Sequence, residues 1–231
     1  MASEDFLDKK LKNPDDKTSD NKAISKLIND TIRNGGKVYL AGDWHLWLRE
    51  EKDKPECHKR SDFNTILNEA NHVCDSNKDL LIYMGDLVDG EFQEKELLKQ
   101  ALLTLHMRRI MVRGNNDTFD KSFYKSCGFE YVVDSFVWND ILFTHCPVKN
   151  NNDINVHAHI HGYRTYWLPY TNHIDVGAYG GRKKPVELLW LLQKQPTYAK
   201  TIKECPEHFD ESYTLFESVM IPERIYDPFH D

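Results

Sequence analysis

Residues 80–89 read LLIYMGDLVD, an unbroken apolar run that is followed by Gly85, Asp86 and, three residues further on, Asp89. Short, continuous apolar runs are typical of strands that are buried on both faces. Similar runs at residues 38–41, 110–112 and 141–143 also end close to Asp, Asn or His residues. In open α/β sheets, ligands bind in the crevice beyond the carboxyl ends of the strands. The pattern therefore predicts several buried strands that build one site together.

Helical and extended patterns alternate in the first half of the chain, whereas extended patterns dominate the second half. We predict helices at 21–33, about 61–74, about 93–105 and about 118–126, and strands at about 37–42, 79–84 and 109–113. Further strands are predicted at 131–138 and 141–144, joined by an Asn139-Asp140 hairpin turn, and at 154–156, 173–176 and 185–190. This order of elements indicates the α/β class.

Length and composition indicate one main domain with an additional segment at each end. The 231 residues carry a formal net charge of −7, which does not favour stable, nonspecific binding to nucleic acid. No apolar run approaches the roughly 18 residues of a membrane span. We predict a flexible N-terminal segment at 1–20, a main domain at 21–195, and a C-terminal segment at 196–231 that packs on the same domain.

The cysteines and the N-terminus bear on the cellular compartment. The five cysteines are odd in number and never form a CxxC pair, so neither a disulfide framework nor a zinc ribbon is predicted. The N-terminus lacks the basic-then-apolar layout of a secretory signal. A cytoplasmic protein with reduced thiols is the simplest interpretation, and the oligomeric state is left open.

Seven residues at or after the ends of predicted strands could coordinate a metal through oxygen or nitrogen. They are Asp43, His45, Asp86, Asn115, His145, His159 and His161. Taken one at a time, most have an ordinary alternative as a cap, a turn residue or a buried histidine. Their shared placement favours a single site. Oxygen and nitrogen donors without a thiolate are typical of a pair of divalent cations that act on phosphoesters.

Two of these clusters have spacings that would bring neighbouring donors together. Asp43 and His45 are two residues apart, so both would point to the same side of an extended strand end. The same period relates His157, His159 and His161, of which His157 would be the outer member that orients a ligand.

The ordered motifs in residues 37–161 are Gly-Asp-Trp-His, Gly-Asp-Leu-Val-Asp, Gly-Asn-Asn-Asp, His-Cys-Pro and Ala-His-Ile-His. In these motifs the chain resembles the calcineurin-like metallophosphoesterases. The resemblance implies a four-layer α/β/β/α metallophosphoesterase sandwich of two mixed sheets flanked by helices. It implies two divalent metal ions, with Mn or Fe favoured and Zn, Co or Ni as alternatives. One cation would be held by Asp43, His45 and His161 and the other by Asn115, His145 and His159, with Asp86 as the bridge.

The resemblance also implies a dinuclear metal-dependent phosphoesterase in which a metal-bridging hydroxide attacks the phosphorus. Two positions depart from the family pattern. Ala158 replaces the glycine before the paired histidines, and Asn116 replaces the histidine that is taken to protonate the leaving oxygen or stabilise the transition state. Asparagine cannot act as an acid at neutral pH, although its amide can donate a hydrogen bond. Bacterial and archaeal branches that resemble this chain also lack the histidine and still hydrolyse diesters.

We therefore predict a phosphodiesterase that acts on a small or nucleotide-like phosphodiester, with Asp86 and Asn116 as candidate catalytic residues. A phosphomonoesterase with the same site and a noncatalytic metal-binding interaction scaffold are the alternatives.

Basic residues near the motifs are the candidates for substrate contact, because arginine binds phosphate through two hydrogen bonds. They are Arg113, which precedes the third motif, and Arg60 and His58, which belong to the polar stretch after the first motif. Trp44 could stack on a base or sugar, or could pack against the sheet.

Overall fold

The computed structural model describes residues 19–46, 63–75, 78–88, 92–149, 154–160, 172–177, 184–193 and 221–222. Among its helices are α1 (Ser19–Arg33), α2 (Phe63–Val73), α3 (Lys95–Leu102) and α4 (Lys121–Ser126), and residues 188–193 are also helical. Its strands are β1 (Val38–Ala41), β2 (Leu80–Tyr83), β3 (Arg108–Val112), β4 (Tyr131–Val133), β5 (Ser135–Trp138), β6 (Ile141–Thr144), β7 (Val148–Lys149), β8 (Ile154–His157), β9 (His173–Asp175), β10 (Val186–Glu187) and β11 (Ile221–Pro222).

Two mixed sheets form the body of the protein. The first sheet has the strand order β10-β1-β2-β3-β4, in which β1 to β4 run parallel and β10 is antiparallel to β1. The second sheet has the order β5-β6-β8-β9, with an antiparallel β5–β6 pair and parallel pairs beyond it. Every residue of β1 and β2 is buried, which explains why both strands are unbroken apolar runs in the sequence.

The two faces of the first sheet pack against different partners. Leu40 and Ile82 point into a core between the sheets, where they meet Phe143 of β6 and the apolar side of α1. Leu81 and Tyr83 point the other way, into a core that is completed by α2, α3 and α4. The alternation of neighbouring residues between two cores follows from the period of two in a strand. Two mixed sheets with flanking helices confirm the predicted α/β sandwich.

One predicted strand is wrong because the chain changes sheets within it. Residues 131–138 form two strands, of which β4 pairs with β3 in the first sheet and β5 pairs with β6 in the second. The break falls at Asp134, whose carboxylate accepts hydrogen bonds from Arg113 and Lys121. The residues on both sides of the break are suited to strands, so the local pattern could not show that their partners differ.

A second predicted strand, at 185–190, is wrong in most of its length. Only Val186–Glu187 pairs with β1, and residues 188–193 are helical. Leu188 and Leu191 are three residues apart and are both buried in the core between the sheets. That spacing suits a helix, and a short apolar run fits a buried strand or a buried helix equally well.

The predicted hairpin turn between β5 and β6 is confirmed. Trp138 and Ile141 are cross-strand partners, so the turn contains two residues. Asn139 has a φ of 49° and Asp140 a φ of 60°. Positive φ at both central residues is the geometry of the tight turn that matches strand twist, and Asn and Asp tolerate it better than most residues.

Two further features belong to the described residues. Within them, no helix is both long enough and apolar enough to cross a membrane. Residues 221–222 form β11, which pairs in parallel with β7. The division into segments at 1–20, 21–195 and 196–231 stays a prediction.

Candidate metal centre

The loops that follow β1 and β2 remain hydrogen-bonded to each other beyond the strands. The amide of Asp43 donates to the carbonyl of Gly85 at 2.9 Å, and the amide of His45 donates to the carbonyl of Asp86 at 3.1 Å. Because the two loops are held side by side, His45 Nε2 lies 3.6 Å from Asp86 Oδ2. The parallel pairing of the strands thus delivers candidate ligands from two motifs to one point.

Four of the candidate ligands have a left-handed backbone conformation. The φ angle is 52° at Asp43, 41° at His45, 56° at Asp86 and 73° at His159. Such angles are uncommon for residues other than glycine, cost on the order of 1–3 kcal/mol each, and are concentrated at functional sites. The predictions of extended geometry at residues 43–45 and around His159 are therefore wrong. Left-handed turns, and not a period of two, orient these side chains.

His145 is fully buried at the centre of the cluster. Its Nδ1 lies 2.7 Å from the main-chain oxygen of Met84, which can only accept, so Nδ1 carries a proton. Its Nε2 faces three further polar atoms: Asn115 Oδ1 at 3.0 Å, His159 Nδ1 at 3.2 Å and Asp86 Oδ2 at 3.3 Å. A proton on Nε2 can satisfy one of them, whereas a cation can be shared by several.

The separations between these donor atoms fit a metal site. Atoms that bind one cation at about 2.0–2.2 Å lie about 3.0–3.4 Å apart, and the three distances from His145 Nε2 fall in that range. Donor atoms of Asp43, Asp86 and His145 all lie within 4.8 Å of one another. The Sγ atom of Cys146 lies within the same distance of His145 and His159, a proximity that the sequence pattern did not indicate.

The electrostatics of the cluster favour added positive charge. Burial alone would lower the pKa of His145, but Asp86 and Asp43 raise it to about 10. Burial would raise the pKa of Asp86, yet the charge of His145 and its hydrogen bond bring it well below the usual range. Asp43 has a raised pKa because it is buried and lies near Asp86 and Asp175. A divalent cation would stabilise these carboxylates more strongly than one imidazolium.

Two glycines lie where a side chain would overlap with residues of the site. A Cβ atom at Gly85, which has a φ of 92°, would lie 2.5 Å from His145 Nδ1 and 2.6 Å from the amide nitrogen of Gly114. A Cβ atom at Gly42 would lie 2.9 Å from the methyl group of Ala158. Ala158, which departs from the family pattern, is therefore accommodated because residue 42 has no side chain.

The two candidate catalytic residues are in direct contact. The main-chain amide of Asn116 donates to Asp86 Oδ1 at 3.0 Å, and its side-chain Nδ2 donates to Asp86 Oδ2 at 2.8 Å. Both oxygens of the carboxylate thus accept from the same residue. This arrangement restrains the rotation of the Asp86 side chain.

Asp117 is a site residue that sequence reasoning missed. Its buried carboxylate accepts main-chain hydrogen bonds from Asp86 at 2.8 Å, Gly114 at 2.7 Å and Leu87 at 3.0 Å. Burial and the charge of Asp86 raise its pKa to about 7, although the hydrogen bonds act in the opposite direction. The only signal was its place in the Gly-Asn-Asn-Asp motif, where an Asp is ordinary turn chemistry.

His157 belongs to a separate buried pair of histidines. Its ring centroid lies 5.3 Å from that of His173 on β9, and its Nδ1 lies 2.9 Å from the carbonyl of Ala158. Burial lowers the pKa of His157 well below its usual range and lowers the pKa of His173 to about 4. Both rings are therefore neutral at physiological pH. The ligand-orienting role of His157 stays a prediction.

The low pKa of His173 predicts a pH-dependent stability. Below about pH 6.5 the unfolded chain binds a proton at this residue that the folded protein does not, so acid destabilises the fold until about pH 4. One such proton changes the free energy of unfolding by up to about 1.4 kcal/mol per pH unit. We expect the free energy of unfolding of His173→Phe to fall less than that of the wild type between pH 7 and pH 5. Urea unfolding of both proteins in the presence of a chelator measures the difference. Equal losses would contradict the assignment.

The remaining candidates are the residues predicted to contact the substrate, together with His161. Trp44 is buried, its ring centroid lies 4.7 Å from that of Tyr83, and its amide donates to the Tyr83 hydroxyl, so the alternative that it packs against the sheet is confirmed. The guanidinium of Arg113 donates to Asp134 at 2.8 and 3.0 Å, and a role in substrate contact stays a prediction. Three candidates, His58, Arg60 and His161, lie outside the described residues.

Comparison with known proteins gives a family match and similar solved structures. The chain matches the family described as calcineurin-like phosphoesterase over residues 36–217. A search of curated proteins gives no match. Among solved structures, a protein of unknown function from Aquifex aeolicus is 18% identical with a TM-score of 0.46, over 68% of this chain and 98% of that one. The nuclease MPE of Pseudomonas putida is 15% identical with a TM-score of 0.40, over 55% of this chain and 62% of that one. The family match spans most of the sequence, and the chain accordingly belongs to the calcineurin-like phosphoesterases, which are metal-dependent hydrolases of phosphoric esters.

Proposed function

We propose that this enzyme is a two-metal phosphodiesterase that hydrolyses a small or nucleotide-like phosphodiester. The observation that carries the proposal is the identity of residue 116 and the hydrogen bond that its side chain makes. An asparagine stands where the family has a catalytic histidine, and its side chain donates to Asp86. The site therefore has no titratable proton donor at that position.

We infer that the metals are held as the motifs imply. One cation would be bound by Asp43, His45 and His161. The other would be bound by Asn115, His145 and His159, and Asp86 would bind both cations. The environment of His145 supports this, because its Nδ1–H donates to a main-chain carbonyl and leaves Nε2 directed at the other donors. Two divalent cations, Mn or Fe by preference, would lower the pKa of a water molecule and stabilise the charge on the phosphate oxygens.

The charge of the site also supports a diester substrate. Four buried aspartates, each at most 1% exposed as a residue, interact through their carboxyl groups: Asp43, Asp86, Asp117 and Asp175. Their negative charge would offset much of the positive charge of two divalent cations. A diester carries one negative charge and a monoester carries up to two at neutral pH, so a centre with little net positive charge would favour the dianion less than an uncompensated pair of cations would.

The test compares Mn²⁺-dependent turnover of a chromogenic phosphodiester and the corresponding phosphomonoester. We expect the diester to be hydrolysed faster by the wild type. Asn116→His supplies a titratable donor and should shift the ratio of the two rates toward the monoester. Faster monoester cleavage by the wild type would identify a phosphomonoesterase and overturn the proposal. An unchanged ratio in Asn116→His would show that residue 116 does not set the preference.

A matched control separates the role of this position from a general effect of substitution. Asn29 is an asparagine on α1 whose side chain accepts a hydrogen bond from Trp138 Nε1 at 3.0 Å. Asn29→His changes the same residue type on another element and should leave the ratio of rates unchanged. The metal content of each purified protein, measured by mass spectrometry, verifies that the variants are compared at equal occupancy.

A further inference from the structure

We propose that Asp117 is a positioning residue that holds the second and third motifs in the arrangement that binds metal. This inference rests on the proposed metal centre, although not on the class of substrate. The carboxylate of Asp117 accepts its described hydrogen bonds only from main-chain amides, and all three amides belong to the loops after β2 and β3. It would therefore act on the cations through the residues that contact them.

The hydrogen bonds of Asp117 join two separate loops. Its Oδ2 accepts from the amide of Gly114 at 2.7 Å, within its own motif, and from the amide of Asp86 at 2.8 Å, in the loop after β2. Its Oδ1 accepts from the amide of Leu87 at 3.0 Å. One side chain thus satisfies three buried donors on both sides of the junction, at distances typical of strong hydrogen bonds.

The same two loops are also joined by hydrogen bonds in which the loop after β3 donates and the loop after β2 accepts. Asp117 accepts from the main chain at Asp86, while Asn116 donates to both carboxylate oxygens of Asp86. The backbone of Asp86 is fixed by one neighbour and its side chain by the other. We call this reciprocal set of contacts the Asp86 clasp. It fixes a residue whose φ of 56° would otherwise be unfavourable.

Replacement of Asp117 would leave part of the clasp unsatisfied. Asparagine has nearly the same shape but only one acceptor atom, so its amide group would face either the Leu87 amide or the pair of amides from Asp86 and Gly114. Buried donors that lose their acceptor are costly, and the loops would move to find new partners. The carboxylate of Asp86 and the side chain of Asn115 would then leave their present positions.

The experiment measures the binding of Mn²⁺ to chelator-treated protein by titration calorimetry. We expect Asp117→Asn to weaken the affinity by about 10- to 100-fold, in line with other residues that orient metal ligands. Saturating Mn²⁺ should restore most of kcat, because the lost contacts are made to the ligands and not to the substrate. A loss that is purely structural would instead lower the folded fraction without changing the Kd of the folded protein.

Asp120→Asn is the matched control. Asp120 lies three residues along the chain and also accepts a main-chain hydrogen bond, from Phe123 at 2.7 Å, but it is exposed and caps α4. We expect this variant to bind Mn²⁺ within about twofold of the wild type, because a solvent-exposed cap acts on its own helix. An equal loss of affinity in both variants would overturn the positioning role.

A second variant protects the test if Asp117→Asn does not fold. Asn116→Ala removes only the side-chain half of the contacts to Asp86 at a half-buried position, and we expect a loss of Mn²⁺ affinity of up to about tenfold. An affinity within twofold of the wild type in Asp117→Asn or, where that variant does not fold, in Asn116→Ala would overturn the inference. A wild-type protein that binds neither Mn²⁺, Fe²⁺ nor Zn²⁺ would instead overturn the metal centre itself.

Discussion

Asp86→Asn should abolish phosphoester hydrolysis and lower the number of metal ions bound per chain. We expect a loss of kcat on the order of a thousandfold or more, because the substitution removes the only charge that would be shared between the two cations. The change is nearly isosteric, so the loss would not reflect a cavity. It would also remove one of the two hydrogen bonds from Asn116, since the new amide group has one acceptor oxygen for two donors that now bind Asp86 at 3.0 and 2.8 Å.

The measurement combines turnover of the chromogenic diester with metal analysis of the dialysed protein. Asp30→Asn is a suitable control, because Asp30 lies on α1 and pairs with Lys26 and Arg33 at the surface. It removes the same charge without touching the candidate ligands. If Asp86→Asn kept two metal ions and substantial activity, the bridge would have been assigned to the wrong residue.

Gly85→Ala should destabilise the fold strongly. A methyl group there would lie 2.5 Å from His145 Nδ1 and 2.6 Å from the amide nitrogen of Gly114, and the φ of 92° is unfavourable for alanine. Together, overlap and backbone strain should lower the free energy of unfolding by about 2–5 kcal/mol. Metal binding should weaken as well, because His145 would have to move away from Met84.

Gly35→Ala separates backbone strain from overlap. Gly35 has a φ of 77°, but a Cβ atom there would meet nothing within 4 Å. We expect a loss of about 1 kcal/mol for this variant, from strain alone. Urea unfolding of the chelator-treated proteins gives both values. Equal losses for the two variants would mean that the close approach of His145 to Gly85 does not constrain the fold.

The strands of the first sheet could be predicted from the sequence because of how they are buried. A strand covered on both faces must be apolar at every position, and β1 and β2 are buried throughout. The hairpin at Asn139-Asp140 could be predicted because few residue pairs tolerate two positive φ angles in succession. In each case the cause acts within a few neighbouring residues.

The errors concern properties that depend on distant parts of the chain. The assignment of β4 and β5 to different sheets is set by their partners β3 and β6. The left-handed turns at Asp43 and His159 are stabilised by the contact of His159 N with Asp43 Oδ2 at 2.8 Å, across 116 residues. The identity of these residues was sufficient to name them as candidate ligands, but not to predict their backbone. Asp117 was missed for the same reason, since its partners in the second motif are remote in sequence.

The origin of the candidate ligands in two sheets has a consequence for the persistence of the protein. Asp43 and Asp86 follow strands of the first sheet, whereas His145 and His159 follow β6 and β8 of the second. A cation shared between them would cross-link the two halves of the sandwich, so its binding energy becomes folding energy. By mass action, free metal at a hundred times its Kd adds about 2.7 kcal/mol of stability for each site. The lifetime of the folded enzyme would then follow the metal supply of its surroundings, and scarcity would remove the protein as well as its activity.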